Sequence, residues 1–290
     1  MMSRIEDALE KLQARSARPT ASPATRLVTP APAPPPREYV YGGNHLHVDS
    51  AKLRANGLLA LDSEERRLAE QYRTIKRPLL RNADPNLDPP LARANIVMVA
   101  SAFSGEGKTF TCVNLCLSIA RERDWTVVLV DGDCSKPHLT RFFGAESEKG
   151  LIDLLREPGL TFESLVMPTD VPGLSLLPAG TRDPRASELL ASKRMDELCV
   201  ELSSSGGAGR MIVFDSSPLL LTTESPVLAA NVGQVVVVVR ANETPQEAVL
   251  AAIEKLDQTK AIACILNAYA EGGGGSEYGY GYGSYGYGDK

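Results

Sequence analysis

Short apolar runs punctuate the middle of the chain at 96–100, 127–130, 174–177, 211–214, 235–239 and 262–266. Several are unbroken stretches of Val, Ile and Leu without polar alternation, the pattern of strands covered on both faces. Between them, segments near 108–122, 187–203, 223–231 and 245–258 place apolar residues at helical spacing. This rhythm predicts an α/β fold, a mainly parallel sheet flanked by helices. Ligands of such sheets bind beyond the carboxyl ends of the strands, so the residues just past each run carry the chemistry.

The two ends of the chain read differently. Residues 2–15 predict a short helix, with Ser3 as N-cap, Glu6 three residues on, and Ile5, Leu9 and Leu12 on one face. It would dock on its own domain or on a partner. Residues 17–37 are rich in Pro and Ala, the composition of an extended linker. From Asp62 to Leu80 the charged positions Glu64, Glu65, Arg66, Arg67, Glu70, Arg73 and Lys76 predict a solvated helix laced by i,i+4 pairs. The expected organisation is therefore an N-terminal helix over 1–16, a linker over 17–61, a catalytic domain over 62–270 and a low-complexity tail over 271–290.

A net charge of -5 argues against a nucleic-acid footprint, which needs a basic surface. None of the five cysteines (Cys112, Cys116, Cys134, Cys199, Cys264) forms a CxxC pair, and they read as reduced, buried thiols. His45 and His47 form an HxH in a linker-like stretch and read as exposed, without a partner carboxylate. The acidic, polar start lacks the pattern of a signal peptide, and no window reaches the length of a membrane span. Any membrane role is expected to run through a partner.

The residues at the strand ends are specific. After the first run comes Ala102-Phe103-Ser104-Gly105-Glu106-Gly107-Lys108-Thr109, opening a helix. It fits the P-loop pattern with Ala102 at the first glycine position. Glycines let the backbone from Ser104 to Phe110 wrap a phosphate, and the helix N-terminus adds partial positive charge. Lys108 would reach the β- and γ-phosphates of ATP, and Thr109 would offer its hydroxyl to Mg²⁺. A chance Gly-rich turn is the plain alternative. The second run ends in Asp131-Gly132-Asp133, two carboxylates that could hold Mg²⁺ or accept a proton from an incoming hydroxyl, or that serve turn chemistry alone. The run at 211–214 ends in Asp215, then Ser216-Ser217-Pro218, and matches a Walker B carboxylate that positions Mg²⁺.

Together these motifs resemble the bacterial tyrosine kinases of polysaccharide export, which share the deviant Walker ATPase fold of the partitioning and septum-site ATPases. Similar stretches include Gly150-Leu151-Ile152-Asp153-Leu154-Leu155, Leu177-Pro178-Ala179-Gly180, and Ser187-Glu188-Leu189-Leu190. Glu70-x-x-Arg73-x-x-Lys76 is similar to a Glu-x-x-Arg-x-x-Arg segment that mediates ring assembly in that family. The start, Ser3 to Lys11, resembles the subgroup of exopolysaccharide loci with the PEP-CTERM/exosortase system. The chain departs from the family pattern at Ser135, where an Arg is usual, at Ser217 in place of the first Pro of Asp-x-Pro-Pro, and at Lys76, which lacks the planar fork of Arg.

The resemblance implies a protein-tyrosine autokinase that uses ATP and Mg²⁺. It gives Asp131 the activation of the tyrosine hydroxyl and Asp133 the support of metal and phosphate geometry. Thr109, Asp131 and Asp215 form the expected metal set, and Asn267 is either an adenine contact or a strand-end cap. Expected partners are a separate transmembrane polysaccharide chain-length determinant and further copies of this chain in a ring. The place would be the cytoplasm, at the inner face of the membrane through that partner.

The tail holds Tyr278, Tyr280, Tyr282, Tyr285 and Tyr287 among glycines, too Gly-rich to build a core. Beside a phosphoryl-transfer site these read as acceptors, in cis or in trans; the plain alternative is a sticky low-complexity segment. Two other functions compete. A partitioning or septum-site ATPase switch would carry a signature Lys where this chain has Phe103, and an inactive scaffold would accord with Ser135 and Ser217.

Overall fold

In a computed structural model of the protein, residues 39–58, 66–205 and 209–268 are described. The N-terminal helix, the Pro/Ala-rich stretch up to residue 38 and the tail tyrosines lie outside them.

The apolar runs form one seven-stranded sheet in the order β3-β4-β2-β5-β1-β6-β7. Its members are β1 (Ile96–Ser101), β2 (Thr126–Asp131), β3 (Met167–Pro168), β4 (Leu174–Leu177), β5 (Arg210–Asp215), β6 (Gln234–Arg240) and β7 (Ala261–Asn267). Every pairing is parallel except the two-residue β3, which runs antiparallel to β4. β3 is too short to leave a periodic signal, and the sequence did not reveal it.

The unbroken apolar runs have the expected consequence. In β1, Ile96 and Met98 belong to one core cluster and Val97 and Val99 to the other, so both faces of the strand are buried. One face carries α8 (Lys193–Ser205), α9 (Glu224–Asn231) and α10 (Gln246–Glu254) through Leu198, Leu228 and Ala252. The other carries α3 (Lys108–Ile119) and, behind it, α2 (Arg66–Asn82). β7 lies at the sheet margin, and Ala263, Cys264 and Leu266 are exposed there.

Several expectations need correction. The helix expected at 187–203 is two, α7 (Ala186–Leu190) and α8, because Ser192 interrupts it. The Ser192 carbonyl and hydroxyl both accept from the Met195 amide, at 3.1 and 3.4 Å, which starts a new helix. The linker expected over 17–61 is folded at least across 39–58. Gly42 and Leu46 donate backbone hydrogen bonds to Glu163 and Pro168, Leu46 and Val48 are buried, and α1 (Ser50–Ala55) buries Leu53 under an Asp49 N-cap. His47, exposed as expected, has a carboxylate partner after all: its Nδ1 lies 2.5 Å from Asp170 Oδ2.

A further correction concerns α2, which is amphipathic rather than solvated all round. Tyr72, Lys76 and Leu79 recur on one face and are buried. Lys76 Nζ donates to the Ser118 carbonyl at 2.5 Å and pairs with Glu122 at 2.7 Å. The cation thus satisfies the carbonyl end of α3, where the helix dipole favours it. Of the segment similar to the ring-assembly motif, Glu70 and Arg73 face solvent while Lys76 is turned inward. The thiols at Cys112, Cys116, Cys134 and Cys199 are free and buried, as expected, but Cys264 is exposed on β7.

Candidate active site

The carboxyl ends of β1, β2 and β5 converge on a cleft of about 420 Å³. Its wall includes Ser104, Gly105, Gly107, Lys108, Thr109, Phe110 and Asp133. The loop after β1 is braced from several sides. Glu106 Oε2 accepts the Phe103 amide at 2.6 Å, and the Glu106 Oε1 is hydrogen-bonded by the Thr244 hydroxyl. Arg240, at the end of β6, donates to the Gly105 carbonyl at 3.0 Å. Asn267, at the end of β7, donates through Nδ2 to the Glu106 carbonyl at 2.9 Å. In this structure Asn267 therefore holds the loop backbone. Gly107 sits at φ +96°, a conformation that favours glycine, and a Cβ there would come within 2.1 Å of Asn267 Nδ2 and push that side chain off the loop.

Gly107 is also the N-cap of α3 and brings no side chain to satisfy the helix's first amides. Amides left open at a helix start favour an anion. Lys108 comes next, buried, with Nζ donating to Ser101 Oγ at 3.0 Å and to the Phe103 carbonyl at 3.4 Å. Burial holds its ammonium below the usual lysine range, while Asp215, Asp133 and Glu106 pull the other way.

Thr109 Oγ1 donates to Asp215 Oδ2 at 2.6 Å, joining the P-loop to the end of β5. Asp215 is almost wholly buried, and its Oδ1 has no partner among the described residues. Desolvation pushes its carboxyl up to about 7, against the Thr109 hydrogen bond and with help from the charge of Asp131. An orphaned buried carboxylate oxygen beside a threonine hydroxyl is the donor set that suits a hard cation. Among the described residues, no three His, Cys, Asp or Glu side chains form a metal cage by themselves. Oxygens from a bound phosphate would complete the coordination, as Mg²⁺ sites on nucleotides commonly require.

Asp131 and Asp215 are register partners on adjacent parallel strands, and Gly132 lets those ends close up: a Cβ there would lie 2.8 Å from the Asp215 carbonyl. Asp131 is fully buried. Its Oδ2 accepts both the amide and the hydroxyl of Thr140, at 2.8 and 2.7 Å, and its Oδ1 accepts the Asp133 amide at 3.3 Å. Burial raises its carboxyl to about 6, opposed by the Thr140 hydrogen bonds. Asp133 alone of the pair lies on the cleft wall, and it accepts from Ser135 Oγ at 3.0 Å. The resemblance gave Asp131 the contact with an incoming hydroxyl; the exposure of the two carboxylates runs the other way.

Several residues of the site were not singled out from the sequence. Ser101 receives Lys108, Thr140 holds Asp131, and Arg240 and Thr244 brace the loop from β6. Lys136, His138 and Leu221 stand on the cleft wall. Position after a strand end was the only signal available for them.

Fold and site define a P-loop nucleotide-binding α/β domain. Residues 97–272 match the family described as the CobQ/CobB/MinD/ParA nucleotide binding domain. The chain is 31% identical to the tyrosine-protein kinase YwqD of Bacillus subtilis over 202 residues, 69% of this chain and 80% of that protein. It is 30% identical to the tyrosine-protein kinase wzc of Salmonella typhi over 167 residues, 58% of this chain but 22% of that one. It therefore spans about a fifth of the longer relatives. Among solved structures, the VpsO kinase domain shares 30% identity at a TM-score of 0.58, covering 71% of this chain and 98% of that domain. The chain belongs to the bacterial tyrosine kinases of the CobQ/CobB/MinD/ParA nucleotide-binding family.

Proposed function

We propose that the protein is an ATP-dependent protein-tyrosine kinase that phosphorylates the tyrosines of its own C-terminal segment, Tyr278, Tyr280, Tyr282, Tyr285 and Tyr287. The observation that carries this reading is the Thr109–Asp215 pair at 2.6 Å, set beside buried Lys108 in a cleft that also exposes Asp133. Relatives named tyrosine-protein kinases, one of them matched over most of its length, support the choice of acceptor.

Each residue then has a physical task. Backbone amides of 104–110 and the start of α3 would cradle the phosphates, and Lys108 would lie against the β- and γ-oxygens. Thr109 and Asp215 would hold Mg²⁺, which supplies neutralisation of charge on the phosphates, with Asp131 behind them through water. Asp133 would receive the phenolic proton as the tyrosine oxygen bonds to the γ-phosphorus and the bond to the ADP oxygen breaks. Catalysis of this kind rests on positioning and preorganised charge rather than on covalent chemistry by the protein. Asn267 braces the loop and would stand near the nucleoside.

Around the site, the kinase domain proposed here begins by residue 39 rather than 62 and runs to about 270, with the tail beyond it. Among the described residues no helix is long and apolar enough to cross a membrane. We take the partner to be a transmembrane polysaccharide chain-length determinant at the inner face of the cytoplasmic membrane, and the process to be exopolysaccharide synthesis and export. Exposed Glu70 and Arg73 on α2 are the residues proposed to meet a neighbouring copy in a ring.

Incubation with Mg-ATP and then intact and peptide mass spectrometry tests the reading. The wild-type chain is expected to gain phosphate on the tail tyrosines, and Lys108→Met to lose about a hundred- to a thousandfold in rate while keeping its fold, since removing one preorganised transition-state donor costs on that order. Equal tail phosphorylation in the two proteins would sink the assignment.

A further inference from the structure

We infer that Leu221, with Pro218 beneath it, forms the docking platform for the ring of the acceptor tyrosine, and so selects tyrosine in this chain. This inference rests on the kinase reading of the cleft. Leu221 is 60% exposed, and among the described residues it is the only exposed large apolar side chain on the wall of the nucleotide cleft.

The exposure is built in. The segment after β5 is pinned to the P-loop strand: the Leu219 amide donates to the Ser101 carbonyl at 2.8 Å, and the Leu220 amide to the Ala102 carbonyl at 3.3 Å. Leu219 is fully buried. Leu221 donates its own amide to the Pro218 carbonyl at 3.3 Å, and Thr222 closes the same turn with hydrogen bonds to Ser217 Oγ at 2.8 Å and to the Pro218 carbonyl at 3.1 Å. A fixed turn thus holds an isobutyl group in the cleft, on the wall that also carries Pro218.

The polarity of the cleft decides which occupant it meets. β6 and β7, with Asn267, lie on one side of the P-loop strand, and β5 and β2 on the other. Thr109 and Asp215 are the candidate metal ligands, and a metal held there would neutralise charge at the reacting phosphate, which would set the γ-phosphate end toward β5. Leu221 comes after β5 and stands on that side. An acceptor must approach in line with the bond that breaks, also from there. The tail offers little else to recognise: Tyr280 and Tyr282 have glycine on both sides, so the ring itself is the only apolar handle. A ring laid on Leu221 and Pro218 would put its hydroxyl toward Asp133 across the cleft.

The test uses the full chain and a synthetic peptide of the sequence SEYGYGYGSYG as acceptor in trans, read by mass spectrometry, with a fluorescent ADP analogue for nucleotide affinity. Leu221→Ser is expected to raise the peptide KM about tenfold, the cost of losing the apolar contact, with kcat and nucleotide affinity within about twofold of wild type. Leu221→Met should restore the KM. An unchanged peptide KM in Leu221→Ser would overturn the inference, as would a tenfold loss of nucleotide affinity, which would place Leu221 against the nucleoside. A wild-type chain that binds nucleotide yet transfers no phosphate to peptide or tail would instead remove the kinase reading, and this inference with it.

Discussion

The two ends of the parallel sheet bury polar groups to opposite effect. At the amino end, the strands begin on polar side chains that find partners. Asn95, just before β1, donates to the Leu202 and Arg210 carbonyls at 3.1 and 3.3 Å. Gln234, the first residue of β6, donates to the Leu79 and Ala94 carbonyls and accepts from Asn82, tying α2 to the sheet. Arg210, the first residue of β5, is fully buried yet pairs with Glu163 at 3.2 Å, with its guanidinium 4.1 Å from the centroid of the Tyr39 ring. At the carboxyl end β1, β2 and β5 finish on Ser101, Asp131 and Asp215. There a lysine is desolvated, two carboxyls are pushed up to about 6 and about 7, and one carboxylate oxygen goes without a partner among the described residues. Paired polar groups hold a fold together; a desolvated lysine beside two raised carboxyls keeps a place for a ligand. Both ends look equally polar in composition, and only their partners separate them.

Three substitutions would break or sharpen that contrast. The largest effect on stability should come from Arg210→Ala at the amino end, which removes the ion pair and the ring stacking and leaves a buried space. Urea denaturation is expected to show a loss of about 3–5 kcal/mol, with affinity for ADP unchanged in the remaining folded protein. A large drop in ADP affinity would mean the two ends are not separable.

Asp215→Asn should act the other way at the carboxyl end. Burial keeps this carboxyl protonated to a higher pH in the folded protein than in the unfolded chain, so the folded state binds more protons. Its contribution is fully present below the unfolded value near 4 and is lost as pH rises toward 7. Asn cannot ionise, so without nucleotide the variant should be more stable than wild type by about 2–4 kcal/mol at pH 8 and no more stable at pH 4. Melting curves at the two pH values check this, and phosphoryl transfer should be lost at both. A destabilised variant at pH 8 would show that Asp215 is structural.

Gln234→Ala is the smallest of the three. It strands the Leu79 and Ala94 carbonyls where α2 meets the sheet, at a cost of about 1–3 kcal/mol. Hydrogen exchange should then rise selectively in α2. A uniform rise across the sheet would contradict the local role given to this side chain.

Much of this could be read along the chain because parallel strands buried on both faces leave runs that need no tertiary information to recognise. The P-loop was legible for a similar reason: Gly105, Gly107, Lys108 and Thr109 are consecutive or nearly so, and their geometry is local. Short elements were not. α4 (His138–Phe143), α5 (Leu151–Arg156) and α6 (Phe162–Leu165) have too few turns to set a period, and residues 39–58 carry apolar positions spaced by their docking site rather than by any regular repeat. Likewise Lys76 looks like a surface cation until the carbonyl end of α3 is placed beside it.

The order of residues alone determined that this chain would make a doubly covered parallel sheet with phosphate-binding chemistry after its first strand, since backbone pairing and a helix start are short-range matters. Only tertiary structure decided which carboxylate faces the cleft. Asp131 and Asp133 are two residues apart and chemically alike, yet Thr140, nine positions beyond Asp131, claims one and leaves the other open. Desolvation and the choice of hydrogen-bond partner depend on what packs around a side chain, and distant parts of the chain supply that.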